Sequence, residues 1–186
     1  MTGTALLVMD VQEAIVARYP DPDYLPRLRG VIDTARGGGV PIIYVMVGFR
    51  PGAPEVSARN KVFGEAARRM VGQLNEIHPD VAPQPGDIVV TKRRVSAFTG
   101  SDLEVVLRSL EIDHVVLSGI ATSGVVLSTL RQAADLDYRL TVLADCCLDN
   151  DPEVHRVLLE KVFPRQATVT TSDLFLKGAA DSGGHG

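Results

Sequence analysis

Tryptophan is absent from this chain, aromatic residues make up only 5%, and two of 186 residues are cysteine. The two cysteines, Cys146 and Cys147, are sequence neighbours. A bridge between neighbours would be strained, so the chain has no disulfide framework and reads as reduced, in a reducing compartment. Positive charge is also scarce: 19 basic against 23 acidic residues give a net charge of −4 and a pI near 5.5. That balance argues against a nucleic-acid partner and against an anionic membrane surface. No long hydrophobic run is present. The N-terminal apolar stretch, Ala5–Met9, is five residues long and ends at Asp10, too short for a signal peptide or a membrane span. A cytoplasmic protein without a membrane partner is expected.

Other absences narrow the chemistry. The four histidines, His78, His114, His155 and His185, show no ligand spacing with one another, so no metal site is expected. Neither the Gly-x-Gly-x-x-Gly fingerprint nor a Walker lysine occurs, which leaves nucleotide binding weakly supported. No cofactor is expected.

What the chain does contain is an ordinary globular composition, 45% hydrophobic and 23% charged, in a length that suits one domain with a large core. Residues 1–177 read as that domain. The Gly/Ser-rich segment 178–186 reads as a flexible tail. Short β-branched runs at Thr4–Met9, Pro41–Val47, Asp87–Thr91, His114–Ser118, Leu140–Ala144 and Ala167–Thr170 predict strands. They lack polar alternation, the mark of strands buried on both faces. Helical patterns lie between them at Tyr24–Arg36, Asn60–Leu74, Ser101–Leu110, Ser123–Asp135 and Pro152–Phe163. Ser101-Asp-Leu-Glu104 has the form of a capping box, Asp151-Pro152 places proline at a first helical position, and Gly37–Gly39 ends the first helix. The fold class is therefore α/β: a doubly wound, mostly parallel six-stranded sheet with helices on both faces. Gly48–Arg59, the longest irregular stretch, is expected on a pocket rim.

Ligands of such sheets sit beyond the carboxyl ends of the strands. That rule selects Asp10, Gly48–Arg50, Lys92–Arg94, Gly119–Ser123 and Asp145–Cys147. A carboxylate at Asp10, abutting an apolar strand, must be paired or serve chemistry, because an isolated buried charge is costly. Lys92, Arg93 and Arg94 leave one strand end in alternating directions. At least one should face the crevice, with Asp10 as counter-charge or an anionic substrate as ligand. Gly119-Ile-Ala-Thr-Ser-Gly124 forms a strand-to-helix turn whose amides could stabilise an anion. Thr122 or Ser123 could equally be a simple N-cap.

Three segments carry a family resemblance: Asp10-Val-Gln12, Lys92-Arg-Arg-Val-Ser-Ala-Phe98 and Gly119-Ile-Ala-Thr-Ser-Gly-Val-Val126. In order and spacing, over roughly residues 4–172, the chain resembles the isochorismatase-like hydrolases, most of which are cysteine amidases. The resemblance implies a three-layer α/β/α fold with Asp10 and Lys92 as catalytic residues. It implies an oxyanion hole from the amides of Ala121 and Val125, and a cis peptide between Ile120 and Ala121. Gln12 and Arg93 join the candidate substrate-binding positions. Family members often form dimers or larger closed assemblies, so a homo-oligomer is expected, and the mean hydropathy of +0.12 is compatible with one.

Val125 stands where the resemblance places a nucleophilic cysteine, and valine has no proton to lose. Ser123 lies about 200° around the helix from position 125. Ser128 is nearer that face but about a turn deeper. Cys146 or Cys147 could approach the same crevice from the next strand end. The segment matching the metal cluster of nicotinamidase members, Tyr44–Gly52, holds no histidine or carboxylate. Three readings follow. The first is a hydrolase acting on a small anionic molecule by Asp10/Lys92 acid–base chemistry, as in the family members that protonate a vinyl ether. The second is a catalytically silent binding or assembly protein. The third is an amidase using Cys146 or Cys147. Val125 lies about 100° off the core stripe of Val126, Leu130 and Ala133, so helical periodicity does not require an apolar residue there.

Overall fold

A computed structural model describes residues 3–64 and 76–182. Six parallel strands form one sheet: β1 (Gly3–Met9), β2 (Ile42–Val47), β3 (Ile88–Lys92), β4 (Ile112–Ile120), β5 (Arg139–Leu148) and β6 (Thr168–Thr170). Their spatial order is β3-β2-β1-β4-β5-β6, so the winding reverses between β1 and β4. In such sheets ligands bind at that switch point, beyond the carboxyl ends of the two strands. The α/β expectation holds, and every strand pair is parallel.

Strand β1 shows why its residues are almost all apolar. Ala5, Leu7 and Met9 belong to one buried cluster, Leu6 and Val8 to the other. On the first face the sheet is covered by α3 (Leu103–Ser109), α4 (Leu127–Asp135) and the turns after α5 (Pro152–Val157), through Leu103, Leu107, Leu130, Ala133, Leu158 and Phe163. On the second it is covered by α1 (Glu13–Val16), α2 (Tyr24–Gly37) and α6 (Ser172–Ser182), through Ile15, Leu28, Val31, Ile32, Phe175 and Leu176. Burial on both faces is what a continuous apolar strand requires.

Local signals fare unevenly. Asp151 caps α5 by accepting from the amides of Glu153 and Val154, with Pro152 in the first turn, as its dipeptide predicts. Helix α2 ends at Gly37, and Gly39 takes φ +73°. The capping box at Ser101–Glu104 does not form: Asp102 at the N-cap of α3 makes no side-chain bond, and Ser101 Oγ accepts from the Leu103 amide at 3.3 Å while donating to the Ala97 carbonyl. Helices α1 and α6 escape the sequence patterns. Helix α6 runs into the segment read as a tail, to Ser182. The helix expected over Asn60–Leu74 lies mostly outside the described residues.

Strands β4 and β5 also extend beyond their predicted ends. Their register explains β5: Leu117 faces Val142, yet Gly119 faces Cys147. The excess residues around Leu143–Cys146 bulge out of the ladder. Asp145, in this bulge, accepts from the Ser172 amide at 2.8 Å and the Ser172 hydroxyl at 2.5 Å, tying the start of α6 to β5.

Candidate active site

Asp10 is the first residue past β1 and adopts φ +56°, a left-handed conformation that aspartate tolerates better than most side chains. Its carboxylate is buried. Oδ2 lies 3.0 Å from Lys92 Nζ, while Oδ1 is shut off from solvent and makes no well-formed hydrogen bond; the Val47 amide is near enough to favour the charged carboxylate. Burial outweighs the attraction of Lys92 and raises the Asp10 pKa from 3.8 to about 6. Lys92 ends β3, opposite Val47 of β2, and its side chain is only 2% exposed. Its ammonium also donates to the Arg94 carbonyl at 2.9 Å. Of the three cations leaving this strand end, Lys92 is the one that meets Asp10.

Arg93 and Arg94 are engaged with the protein itself. Arg93 Nη1 donates to the Gly48 carbonyl at 2.5 Å, and its Nε lies 3.5 Å from Glu55 Oε1. Arg94 donates to the carbonyls of Arg93 and Glu55, each at 2.7 Å. Glu55 Oε1 also accepts from the Arg50 amide at 3.0 Å. The rim segment predicted at Gly48–Arg59 is thus fastened to the end of β3, with an edge-to-face contact between Phe49 and Phe63 as a second attachment. Gln12 is fully buried and joins its amide to both backbone groups of Val47: Nε2 donates to the carbonyl at 3.2 Å, and Oε1 accepts the amide at 2.8 Å. These bonds hold the end of β2 beside the end of β1.

The strand-to-helix turn is built by close backbone approach. Gly119 pairs with Met9 in the sheet and has φ +140°. A Cβ there would lie 2.2 Å from the Met9 carbonyl oxygen, so only glycine fits. The Ile120–Ala121 peptide is cis, as the resemblance implies. From Thr122 to Val126 the backbone forms a π-helical turn that continues into α4. Ala121 occupies the N-cap position, and neither Thr122 nor Ser123 caps with its side chain. The cap comes from another strand end: Asp149 Oδ2 accepts from the Ser123 amide at 2.7 Å. Thr122 Oγ lies 3.1 Å from the Leu148 carbonyl and 2.8 Å from His155 Nδ1. The hydroxyl has one proton to give: directed at the Leu148 carbonyl, which can only accept, it leaves His155 Nδ1 as the donor.

Val125 lies in this π-turn, 2% exposed, in the same apolar cluster as Val90, Ala97, Phe98 and Cys147. The regular-helix count placed it off the core stripe; the wider π-turn changes the phase, and Val125 is core. The two thiols are buried in the opposite clusters, Cys147 with Val125 and Cys146 on the other face. Burial, aided by the Asp145 carboxylate, pushes Cys146 up to about 12, and burial raises Cys147 as well. A reactive thiol needs the reverse environment.

Sequence patterns do not disclose the bracing behind the site. Thr129 accepts from the Ala97 amide at 2.9 Å, and Gln132 accepts from the Ser96 hydroxyl at 2.7 Å. Their three-residue spacing on α4 is the one signal that both address the same loop. A cavity of about 180 Å³, lined by Tyr19, Pro20, Asp21, Leu148, Asp149 and Asn150, opens at the end of β5. Among the described residues no three histidine, cysteine or acidic side chains gather as metal ligands, and no helix is long and apolar enough to cross a membrane.

Comparison with known proteins agrees with this architecture. The sequence model of the isochorismatase domain matches residues 4–173. An isochorismatase family protein of Bacillus subtilis strain 168, YwoC, is 33% identical over 175 residues, covering 94% of this chain and 93% of the relative. A ureidoacrylate amidohydrolase, RutB of Caulobacter vibrioides, is 34% identical over 183 residues, covering 81% and 79%. The crystal structure of a cysteine hydrolase from Pseudomonas syringae pv. phaseolicola 1448A superposes with a TM-score of 0.87 over 96% of this chain and 93% of that one. At 21% identity, this last match speaks for the fold alone. On the breadth of the family match and on two relatives above 30% identity, the chain belongs to the isochorismatase family of hydrolases.

Proposed function

We propose that this chain hydrolyses a small anionic molecule carrying a vinyl ether, with Asp10 as the proton donor and no covalent thiol intermediate. The observation that carries this reading is the division of labour within one carboxyl group. Oδ2 is held by Lys92, whereas the buried Oδ1 makes no well-formed hydrogen bond. A buried oxygen without a partner is costly unless a proton or a substrate occupies it. With a pKa of about 6, about one Asp10 in ten carries that proton at pH 7, which suits an acid working near neutrality.

In this mechanism Asp10 Oδ1 gives its proton to the terminal carbon of the vinyl ether. The electron pair of the double bond forms the new C–H bond and leaves an oxocarbenium ion. Water adds to the cationic carbon and returns a proton to Asp10. The hemiketal then collapses to a ketone and an alcohol, so one water is consumed for each C–O bond broken. Lys92 keeps Oδ2 in place and offsets the carboxylate left after protonation. The amides of Ala121 and Val125 are assigned to the anionic group that the substrate already carries, and Gln12 and Arg93 serve the site by holding its walls.

Position 125 favours this route over an amidase, since valine supplies no nucleophile and both cysteines are buried and held protonated. A second reading, a silent binding protein, is favoured by one observation: Val125 is packed as core. Both are tested by screening isochorismate-like enol ethers, ureido and carbamoyl compounds and small amides against the wild type and Asp10→Asn. The acid mechanism expects enol-ether turnover that falls about 10²–10⁴-fold in Asp10→Asn. Undiminished turnover in that variant sinks it. Ligand binding without turnover in either protein supports the silent reading.

A further inference from the structure

We propose that Arg94 is a positioning residue for the acid of this site: its guanidinium fixes the backbone carbonyl that holds Lys92 against Asp10. The chain of contacts is short. Lys92 Nζ has two partners among the described residues, Asp10 Oδ2 at 3.0 Å and the Arg94 carbonyl at 2.9 Å. The direction of the ammonium is therefore set by two points, one of which is main chain. That carbonyl belongs to a turn outside the sheet, where no ladder holds it.

Its support comes from the side chain of the same residue. Arg94 folds back so that Nη1 meets the Arg93 carbonyl and Nη2 meets the Glu55 carbonyl, both at 2.7 Å. A planar guanidinium bridging two carbonyls restrains the peptides on both sides of the fork. The Arg93 amide donates in turn to the Thr99 carbonyl at 3.1 Å, and Arg93 Nη1 holds the Gly48 carbonyl. The rim segment, through Glu55, thus reaches Lys92 along the path Glu55 carbonyl, Arg94 guanidinium, Arg94 carbonyl and ammonium. Neither arginine serves as a free cation for substrate in this arrangement. The charged and titratable groups acting on Asp10 are few: Lys92 from β3, and Tyr19 after α1, whose phenol feels the Asp10 charge.

The consequence is electrostatic. An ammonium held 3.0 Å from a carboxylate offsets the effect of burial; one that swings away does not. Loss of the Arg94 fork should therefore make Asp10 a weaker acid without touching either partner. The inference rests on Asp10 as the acid of the site, but its test needs no substrate, so the two can fail separately.

The experiment is a carboxyl ¹³C NMR titration of Asp10 in the whole chain, with the resonance assigned from Asp10→Asn. Four proteins are compared: wild type, Arg94→Ala, Arg94→Lys and Lys92→Met. Lys92→Met sets the ceiling, with a midpoint raised by roughly 1–3 pH units. Arg94→Ala should move the midpoint upward by about one pH unit, towards that ceiling. Arg94→Lys, which can reach only one carbonyl, should fall between it and the wild type. If Arg94→Ala does not fold, the Arg94→Lys midpoint decides alone. A midpoint in the folded Arg94 variants equal to wild type overturns the proposal, as does a Lys92→Met midpoint that fails to rise. A merely structural arginine would lower the melting temperature and leave the titration where it was.

Discussion

The clearest energetic consequence of the site concerns stability against pH, and it can be measured without any substrate. Asp10 titrates at about 6 in the folded protein against 3.8 as an ordinary aspartate. At about 1.4 kcal/mol per pH unit, that difference corresponds to about 3 kcal/mol. The folded-state value is raised, so the folded protein binds the proton more tightly than the unfolded chain. The favourable contribution is complete below pH 3.8 and is lost as pH rises through about 6. The fitting reference is the double variant Asp10→Asn, Lys92→Met, which carries neither charge and leaves no buried ion unpaired. Urea denaturation of both proteins at intervals from pH 4 to pH 8 gives their difference, in which the other carboxylates cancel. Wild type should lose about 2.4 kcal/mol of that contribution relative to the double variant across that range, about 2 kcal/mol of it between pH 4 and 6. Parallel curves would mean that Asp10 titrates normally. A wild type that gains on the double variant with rising pH would mean that Lys92 outweighs burial. Asp10 would then carry a proton in fewer than about one molecule in a thousand at neutral pH, and the acid mechanism would fall with it.

Two other expectations follow from packing. In the folded protein neither Cys146 nor Cys147 should react with a thiol reagent at pH 7.5, and both should react in denaturant; rapid labelling of the native state would contradict their burial. Gly119→Ala should destabilise by several kcal/mol, or abolish soluble folding, because the new methyl meets the Met9 carbonyl at 2.2 Å. Gly30→Ala on the open face of α2, where nothing lies within 4 Å, should instead stabilise by about 0.5–1 kcal/mol. Denaturation midpoints that shift alike in these two variants would refute the distinction.

The sheet was legible in the sequence because burial on both faces leaves a local mark. Thr4–Met9 and Pro41–Val47 lie within a residue of the observed strands at both ends. Asp10 and Lys92 were legible for a related reason: a charge directly after an apolar strand has to be paired, and these two pair with each other. The ends of β4 and β5 were not, because the register jump between Leu117 and Gly119 depends on pairing between strands, which no run of residues encodes. Val125 shows the limit of counting at 100° per residue, since a π-turn at the helix start shifts the phase. The cap on Ser123 was invisible because it is lent by Asp149, 26 positions away. At least one of Lys92, Arg93 and Arg94 was expected in the crevice, and it is Lys92 that meets Asp10, not Arg93 or Arg94. They turn instead to Glu55 and to nearby carbonyls, partners supplied by a loop whose path the sequence pattern leaves open.

The contact between Gly119 and Met9 bears on how such a protein can change its chemistry. Asp10 follows Met9 and the amide turn follows Gly119, so the carboxylate and the turn are spaced by main chain touching main chain. Repacking side chains cannot widen or narrow that gap. The sheet acts as a fixed gauge, and new reactions have to be found by exchanging the groups mounted on it. A substitution at position 125 is such an exchange, made while the distance from the root of the carboxylate to the turn stays the same.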